Sequence, residues 1–162
     1  MRIHIVLTLV VALAIVSGCS PAVETAAPAS LVAGRPPDAN SFGGHWYKAF
    51  DEKVTWQQAK RLCEQMGGYL ACIDSPDEQE FITALADGRY LYLGGTDEDN
   101  EGLWTWINDD EFLYTCWMSG QPNNYDGNEN YLATYDEGEW VDVAAQGDDF
   151  WMPTGYICEW DD

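Results

Sequence analysis

The side chains of this sequence that could do chemistry are mostly acids. Its 162 residues include 28 Asp and Glu against seven Lys and Arg, which gives a formal net charge of −21 at pH 7. Such a surface repels phosphate backbones and argues against nucleic acid as a partner. The charge fits the binding of cations, and it equally fits simple solubility in salt. Because charge alone locates no site, function has to be argued from particular residues and their spacing.

Catalytic chemistry has little support in the sequence. After residue 18 the chain keeps one histidine, His45, which stands beside strand-forming aromatic residues and is expected to be structural. The sequence contains no zinc-binding helix motif, nucleophile elbow or phosphate loop. Pairs of acids are frequent, but a chain of this composition produces them freely, so they do not indicate a glycosidase. We therefore predict that the protein is not an enzyme.

The N-terminal residues predict export. Residues 1–4 are a short basic start, and residues 5–16 are almost entirely apolar but too few to span a bilayer comfortably. Residues 1–18 are thus predicted to be a signal peptide. The segment ends in the sequence VSGC, which resembles a bacterial lipobox and implies cleavage before Cys19 and lipidation of that residue. The alternative is an ordinary secretory signal that contains a cysteine.

Residues 19–41 are predicted to be a tether. They are rich in Ala and Pro and show little hydrophobic periodicity, which is typical of an extended linker. Several acyl chains on Cys19 would anchor the protein stably, so membrane contact is expected through the lipid alone. The implied location is the bacterial cell envelope. Ser20, in place of the Asp often linked to inner-membrane retention, favours the outer membrane where the cell has one.

Residues 42–162 are predicted to form one domain with its helices early and most of its strands late. Helical periodicity covers residues 55–66, with Thr55 and Gln58 as a capping box, and a second helix begins at Ser75 and ends at Gly88. Strands are predicted at residues 45–50, 90–94, 103–107, 131–135, 139–143 and 155–160. This pattern indicates an α+β domain.

Short motifs follow one another along this domain in a specific order. They are residues 55–63 (TWQQAKRLC), 67–71 (GGYLA), 121–124 (QPNN), 129–130 (EN) and 157–159 (ICE). In that order and at those spacings the sequence resembles the C-type lectin-like domain. The resemblance implies a fold of two helices with short antiparallel sheets and long acidic loops. It also implies a binding function in which calcium holds a carbohydrate.

The resemblance places the principal calcium site in one loop and one late strand. The implied ligands, which would also contact the carbohydrate, are Gln121, Asn123, Glu129 and Asp142. Amide and carboxylate oxygens of this kind suit calcium, and the family's proline at position 122 is normally cis. Val141 stands where the family usually supplies another amide oxygen. Retention and loss of calcium therefore both stay open at this stage.

The sugar preference is also left open by this loop. The family's Glu-Pro-Asn usually accompanies mannose-type hydroxyls and its Gln-Pro-Asp galactose-type hydroxyls, whereas residues 121–123 combine an amide on each side of the proline. Tyr125 is a candidate for stacking on a sugar face, and packing inward is the alternative.

A second, auxiliary calcium position is implied by the same resemblance. Asp97 and Glu101 match the family's acids in the loop after an early strand, while Asn124 and Asn130 replace frequent aspartates. The alternative is a solvated acidic loop that holds no ion.

The cysteines predict disulfides, because an exported chain meets an oxidising environment. The resemblance implies a Cys63–Cys158 bridge. The family's second bridge has no matching cysteines here, so Cys72 and Cys116 are predicted to pair as a substitute. The alternative for these two is a pair of buried free thiols.

Three functions follow from these observations. The first is a membrane-anchored, calcium-dependent carbohydrate-binding module with a glycan as its partner. The second is the same fold without calcium, binding a surface protein or serving a structural role in the envelope, which Val141 favours. The third is a domain in which calcium serves stability alone and no glycan is bound.

Overall fold

The computed structural model describes residues 34–145 and 152–162. By internal contacts the chain divides into two units, residues 1–30 and 31–162, and the first lies outside the described residues. The predictions for the signal peptide, for Cys19 and for residues 19–33 of the tether therefore lie outside the described part as well. Within that part, no helix combines the length and apolar character needed to cross a membrane.

The described part of the chain contains two α-helices and eight strands. In chain order they are β1 (Asn40–Phe42), β2 (His45–Phe50), α1 (Trp56–Gln65), β3 (Tyr69–Leu70), α2 (Pro76–Ala86), β4 (Leu91–Thr96), β5 (Thr105–Trp106), β6 (Tyr131–Tyr135), β7 (Glu139–Val143) and β8 (Gly155–Asp161). A 3₁₀ turn at Tyr125–Gly127 lies between β5 and β6. The α+β prediction is confirmed.

One sheet joins these strands in the order β1-β2-β8-β4-β6-β7, with β3 paired to β8 and β5 paired to β4. Every pair is antiparallel except β4 with β8, which run parallel. The short antiparallel pairings that the resemblance implies are present, and this one parallel pair makes the sheet mixed. The last strand, β8, lies between β2 and β4. This position brings the two ends of the domain together.

The helices begin where the local sequence predicts. The Thr55 hydroxyl accepts the N–H of Gln58 at 3.2 Å, and the Gln58 side chain accepts the N–H of Thr55 at 2.9 Å. This reciprocal pair is the predicted capping box at the start of α1. The Ser75 hydroxyl caps α2 by accepting the N–H of Glu78 at 3.3 Å. Helix α2 ends two residues earlier than predicted, with Asp87 in the left-handed region as its C-cap.

The sheet separates two clusters of buried apolar side chains. Along β4 the side chains alternate, with Tyr92 in the first cluster and Leu91 and Leu93 in the second, as the pleat of a strand requires. Helix α1 contributes to the first cluster and helix α2 to the second. The helices therefore cover opposite faces, and the core on each face fixes the position of the strands that carry the site.

The four cysteines of the described residues are free thiols in this structure. Cys63 and Cys158 are fully buried, and burial together with the neighbouring Cys158 thiol raises the pKa of Cys63. The fold thus places this pair in contact, and the bridge between them stays a prediction.

The substitute bridge between Cys72 and Cys116 is not formed. The Cys72 thiol instead donates to the Leu70 carbonyl at 3.3 Å. Like the bridge between Cys63 and Cys158, the pairing of Cys72 with Cys116 stays a prediction.

In an oxidising compartment, Cys63 and Cys158 are expected to form a disulfide bond. A bridge across so long a loop stabilises the fold by about 4–5 kcal/mol in the chain-entropy model. Cys63→Ser should therefore lower the free energy of unfolding of the oxidised protein by several kcal/mol and leave that of the reduced protein much less affected. Urea unfolding with and without reductant measures this difference. Cys116→Ser is the matched control, and an equal loss in both redox states would contradict the bridge.

Candidate functional site

The residues implied as the principal site converge on one pocket. A cavity of about 530 Å³ is lined by all five of the residues predicted to bind the carbohydrate, which are Gln121, Asn123, Tyr125, Glu129 and Asp142. They come from a long loop and from β7, and 21 positions separate the first from the last. The pocket is lined on its other sides by Tyr90, Met118, Asp126, Asn128, Tyr135, Val141, Val143 and Ala144.

Strand β7 is held in place by Trp140, a fully buried residue next to the pocket. Its Nε1–H donates to the Gln79 side chain on α2 at 2.7 Å. Its ring is surrounded by Trp106, Phe112, Tyr114 and Trp117 at centroid distances of 5.6–6.0 Å. The backbone of Trp140 also bonds to the loop, since it donates to the Cys116 carbonyl and accepts the N–H of Met118. These contacts fix the loop against β7.

Asp142 connects the loop to the strand at the floor of the pocket. It is 2% exposed, and its carboxylate accepts the N–H groups of Asn123 and Asn124 at 2.6–3.0 Å. Hydrogen bonds from backbone N–H groups to a carboxylate are short and strong, and they orient the chain that donates them. Asp142 is therefore both a candidate metal ligand and the residue that shapes the loop.

Glu129 holds the other side of the same loop. Its carboxylate accepts the N–H of Tyr125 at 2.8 Å, and its own N–H donates to the Asn124 side chain at 3.2 Å. Burial raises the pKa of Glu129, the Tyr125 N–H opposes that rise, and the neighbouring charge of Asp142 adds to it. No Lys or Arg is among the lining residues, all of which are described. The pocket consequently carries negative charge that a cation would offset.

Gln121 supplies an acceptor that has no partner within the protein. The Gln121–Pro122 peptide bond is cis, as the resemblance implies. The side-chain oxygen of Gln121 is buried and accepts no hydrogen bond among the described residues. Together with Asn123, Glu129 and Asp142 it gives two amides and two carboxylates around one cavity. These hard oxygens fit calcium, which takes six to eight such ligands and completes its shell with backbone carbonyls and water.

Val141 is the position at which this site differs from the family pattern. Its side chain is 5% exposed and belongs to the first core cluster. It forms an apolar wall of the pocket and offers no side-chain oxygen.

Aromatic rings lie at the mouth and the side of the pocket. Tyr125 is 69% exposed, so its ring points to solvent rather than into the core. Tyr90 and Tyr135 form a T-shaped pair with centroids 5.5 Å apart. Rings in such positions can stack on the apolar face of a sugar. Tyr90 and Tyr135 were missed in the sequence because they are 45 positions apart and meet only through the pairing of β4 with β6.

The residues of the auxiliary position are brought together in part. Asp97 is 4% exposed, and one of its oxygens accepts the N–H of Gly102 at 2.8 Å while the other has no partner among the described residues. Its N–H donates to the Asn130 carbonyl. Glu101 is exposed in the turn that follows, and the Asn124 side chain bonds to Glu129. An ion held by all four residues stays a prediction.

Comparisons with known proteins agree with this geometry. A model of the family "Lectin C-type domain" matches residues 52–159. Hepatic lectin of Gallus gallus is 32% identical over 120 residues, which cover 73% of this chain and 56% of that protein. Lectin BRA-3 of Megabalanus rosa is 32% identical over 126 residues, which cover 75% of each. This chain thus spans little more than half of the length of the hepatic lectin.

A solved structure gives the same result for the fold. The cow CD23 C-type carbohydrate-recognition domain, crystallised in the presence of a GlcNAc2Man3 oligosaccharide, superposes with a TM-score of 0.73 at 28% identity. The match covers 81% of this chain and 98% of that domain.

The chain belongs to the C-type lectin family. Its fold is the one that the motifs predicted. Membership agrees with the prediction that the protein is not an enzyme, because the relatives named above are lectins. The relatives are eukaryotic, so they add no support to the bacterial lipoprotein prediction for residues 1–19.

Proposed function

We propose that this chain is a calcium-dependent carbohydrate-binding module whose glycan occupies the pocket between Gln121 and Asp142. The observation that carries the proposal is the convergence of four oxygen-bearing side chains on one cavity, with the Gln121 oxygen buried and unpartnered among the described residues. Calcium, when bound, supplies a centre that takes vicinal sugar hydroxyls. The protein's own residues hold that centre and position a sugar ring beside Tyr125.

The electrostatics of the pocket support an uncharged glycan as the ligand. Three carboxylates, those of Asp126, Glu129 and Asp142, line it, and none of its lining residues is basic. These carboxylates would repel the negative charge of a sugar acid. The structure of cow CD23 in the presence of GlcNAc2Man3, a neutral oligosaccharide, is consistent with this choice.

The proposal is tested by screening mannose-type, galactose-type and sialylated glycans against metal-stripped protein, with saturating calcium and again with a chelator. We expect binding to neutral glycans in calcium and a loss of at least about tenfold in the chelator, since a ligand bound through an ion needs that ion. Binding that the chelator does not change would contradict the calcium requirement.

A second function is favoured by the hydrogen bonds that the carboxylates of the pocket already accept. Asp142 and Glu129 already accept N–H groups from Asn123, Asn124 and Tyr125, so the loop is held without an ion. With Val141 offering no oxygen, the same fold would bind a surface protein or serve a structural role in the envelope. Chelator-insensitive binding of a protein, with no glycan retained in the screen, would establish this function instead.

We further propose that the module is lipid-anchored at Cys19 in a bacterial envelope, a proposal that rests on the sequence of residues 1–41. Expression in a bacterium with labelled palmitate should label the full chain and partition it into detergent. Cys19→Ser should lose the label and become soluble in the periplasm. Ser17→Ala, two positions earlier, is the control. Release of an unlabelled chain by ordinary signal cleavage would contradict the anchor.

A further inference from the structure

We propose that His45, Glu159 and Asp161 form a binding site for a first-row transition-metal ion of the zinc type. None of the three lines the carbohydrate pocket, so the proposal is independent of the proposed function. Their ligand atoms, one imidazole nitrogen and two carboxylate oxygens, all lie within 4.8 Å of one another.

The backbone places these three side chains on one face of the sheet. His45 is the first residue of β2 and pairs directly with Asp161 of β8. Glu159 precedes Asp161 by two positions on β8, so both side chains project from the same face of that strand. The arrangement thus rests on paired backbone rather than on a flexible loop, which is the support that a metal site needs.

The distances match those of a small tetrahedral ion. His45 Nδ1 lies 3.0 Å from Glu159 Oε1 and 3.2 Å from Asp161 Oδ1. Nitrogen and oxygen ligands at about 2.0–2.1 Å from a tetrahedral zinc ion are separated from each other by about 3.3 Å. The two nitrogen–oxygen distances are therefore within a few tenths of an ångström of those around such an ion, and the two carboxylate oxygens lie within 4.8 Å of each other.

The His45 nitrogen lacks the hydrogen bond that these distances alone would suggest. Its Nδ1 is shielded from solvent and forms no hydrogen bond among the described residues, although two carboxylate oxygens lie within 3.2 Å. The ring therefore does not direct an N–H at either oxygen. A metal ion between the three groups would be a partner for the nitrogen and both oxygens at once.

Other groups orient the two carboxylates toward His45. The Cys72 N–H donates to Glu159 Oε2 at 2.9 Å, which leaves Oε1 facing the imidazole. The Tyr69 hydroxyl contacts both Glu159 Oε1 at 3.1 Å and Asp161 Oδ1 at 2.6 Å, and the Tyr47 hydroxyl lies 3.3 Å from Glu159 Oε1. Such outer partners fix the geometry of metal ligands.

The cavity beside this site carries negative charge. A cavity of about 230 Å³ beside His45 and Glu159 is also lined by Asp74, Glu78 and Asp110, and none of its lining residues is Lys or Arg. Glu159 is 2% exposed. A divalent ion would relieve this concentration of charge. It can reach the site from solvent, because the side chains of His45 and Asp161 are 42% and 69% exposed.

The nitrogen ligand decides the class of ion. Calcium and magnesium prefer shells made of oxygen, whereas one imidazole with carboxylates suits zinc, cobalt or nickel. The site should therefore discriminate against calcium, which separates it chemically from the loop pocket.

The test is calorimetric titration of zinc chloride into the full chain, purified in detergent, stripped of metal and kept in saturating calcium. We expect one saturable zinc site in the parent protein. His45→Ala and Asp161→Asn should each weaken zinc binding at least about tenfold. Asp162→Asn, the neighbouring exposed acid, is the matched control and should bind zinc as the parent does.

Cobalt identifies the ligands directly. In the parent protein Co²⁺ should give the visible bands of a tetrahedral nitrogen and oxygen site, without the thiolate charge-transfer band that binding to a free cysteine would produce. Asp161→Asn, at an exposed position, keeps the test valid if the histidine variant fails to fold. Zinc affinity unchanged in both variants, a thiolate band, or no saturable binding would each overturn the proposal.

Discussion

Asp142→Ala is expected to lower the affinity for glycan by roughly 100-fold or more in saturating calcium. The substitution removes a carboxylate ligand from the proposed calcium site. It also removes the acceptor of the Asn123 and Asn124 N–H groups, so the loop that carries the amide ligands loses its attachment to β7. Because the substitution has both effects, we expect it to cause the largest loss of glycan affinity of any single substitution in the pocket.

The measurement is glycan affinity by calorimetry, with the melting temperature recorded to show that the variant is folded. Glu139→Ala is the matched control, since Glu139 is an exposed acid on the same strand and does not line the pocket. The control should bind as the parent does. Equal affinity of Asp142→Ala and the parent would place the glycan elsewhere on the domain.

The stability of the metal-free protein is expected to fall as the pH rises from about 4.5 to 8. Burial raises the pKa of the Glu159 carboxyl to about 8 from its ordinary 4.5, the Cys72 N–H opposes the rise, and the charge of Glu78 adds to it. A carboxyl whose pKa is raised by folding contributes stability that is complete below the unfolded pKa and is lost as the pH passes the folded pKa. The slope is at most about 1.4 kcal/mol per pH unit for this one group, which amounts to several kcal/mol over the window.

Glu159→Gln isolates this contribution. The amide keeps the shape of the side chain but does not titrate, so the dependence of the unfolding free energy on pH between 4.5 and 8 should flatten. The pKa of Glu78 is raised in the same way by burial, so a smaller slope in the same direction should remain. Urea unfolding at a series of pH values measures the slopes, and Glu139→Gln is the control. An unchanged slope in Glu159→Gln would show that the carboxyl is ionised throughout.

Features set by neighbours in sequence were predictable. The capping box of α1 needs only Thr55 and Gln58, and the start of α2 needs only Ser75 and Pro76, so both appeared where expected. The common location of Gln121 and Asn123 was predictable for a different reason. The family resemblance fixes the spacing of Gln121 and Asn123, and the structure places both on one pocket.

Features set by distant pairing were not predictable. The alternation of residues 103–107 indicated a strand, but only Thr105 and Trp106 pair with β4. Leu103 is 61% exposed and belongs to a turn, where its N–H donates to the Asn100 carbonyl. The hydrophobic pattern alone does not show that a turn replaces the strand.

His45, a residue of the proposed zinc site, shows the same limit. A single histidine next to aromatic residues was expected to be structural. Its acidic neighbours Glu159 and Asp161 lie more than 110 positions away in sequence and reach it only through the β2–β8 pairing. The cysteines show the same limit of prediction from sequence. The proximity of Cys63 to Cys158 and the separate environments of Cys72 and Cys116 depend on the fold.

The central claim is that the pocket between Gln121 and Asp142 holds a glycan through calcium. The most direct measurement is calorimetric titration of calcium into the metal-stripped protein, followed by titration of a neutral oligosaccharide. We predict saturable calcium binding in the micromolar to low-millimolar range, and glycan binding only after calcium is added. The absence of any calcium heat, together with glycan binding that a chelator does not change, would contradict it.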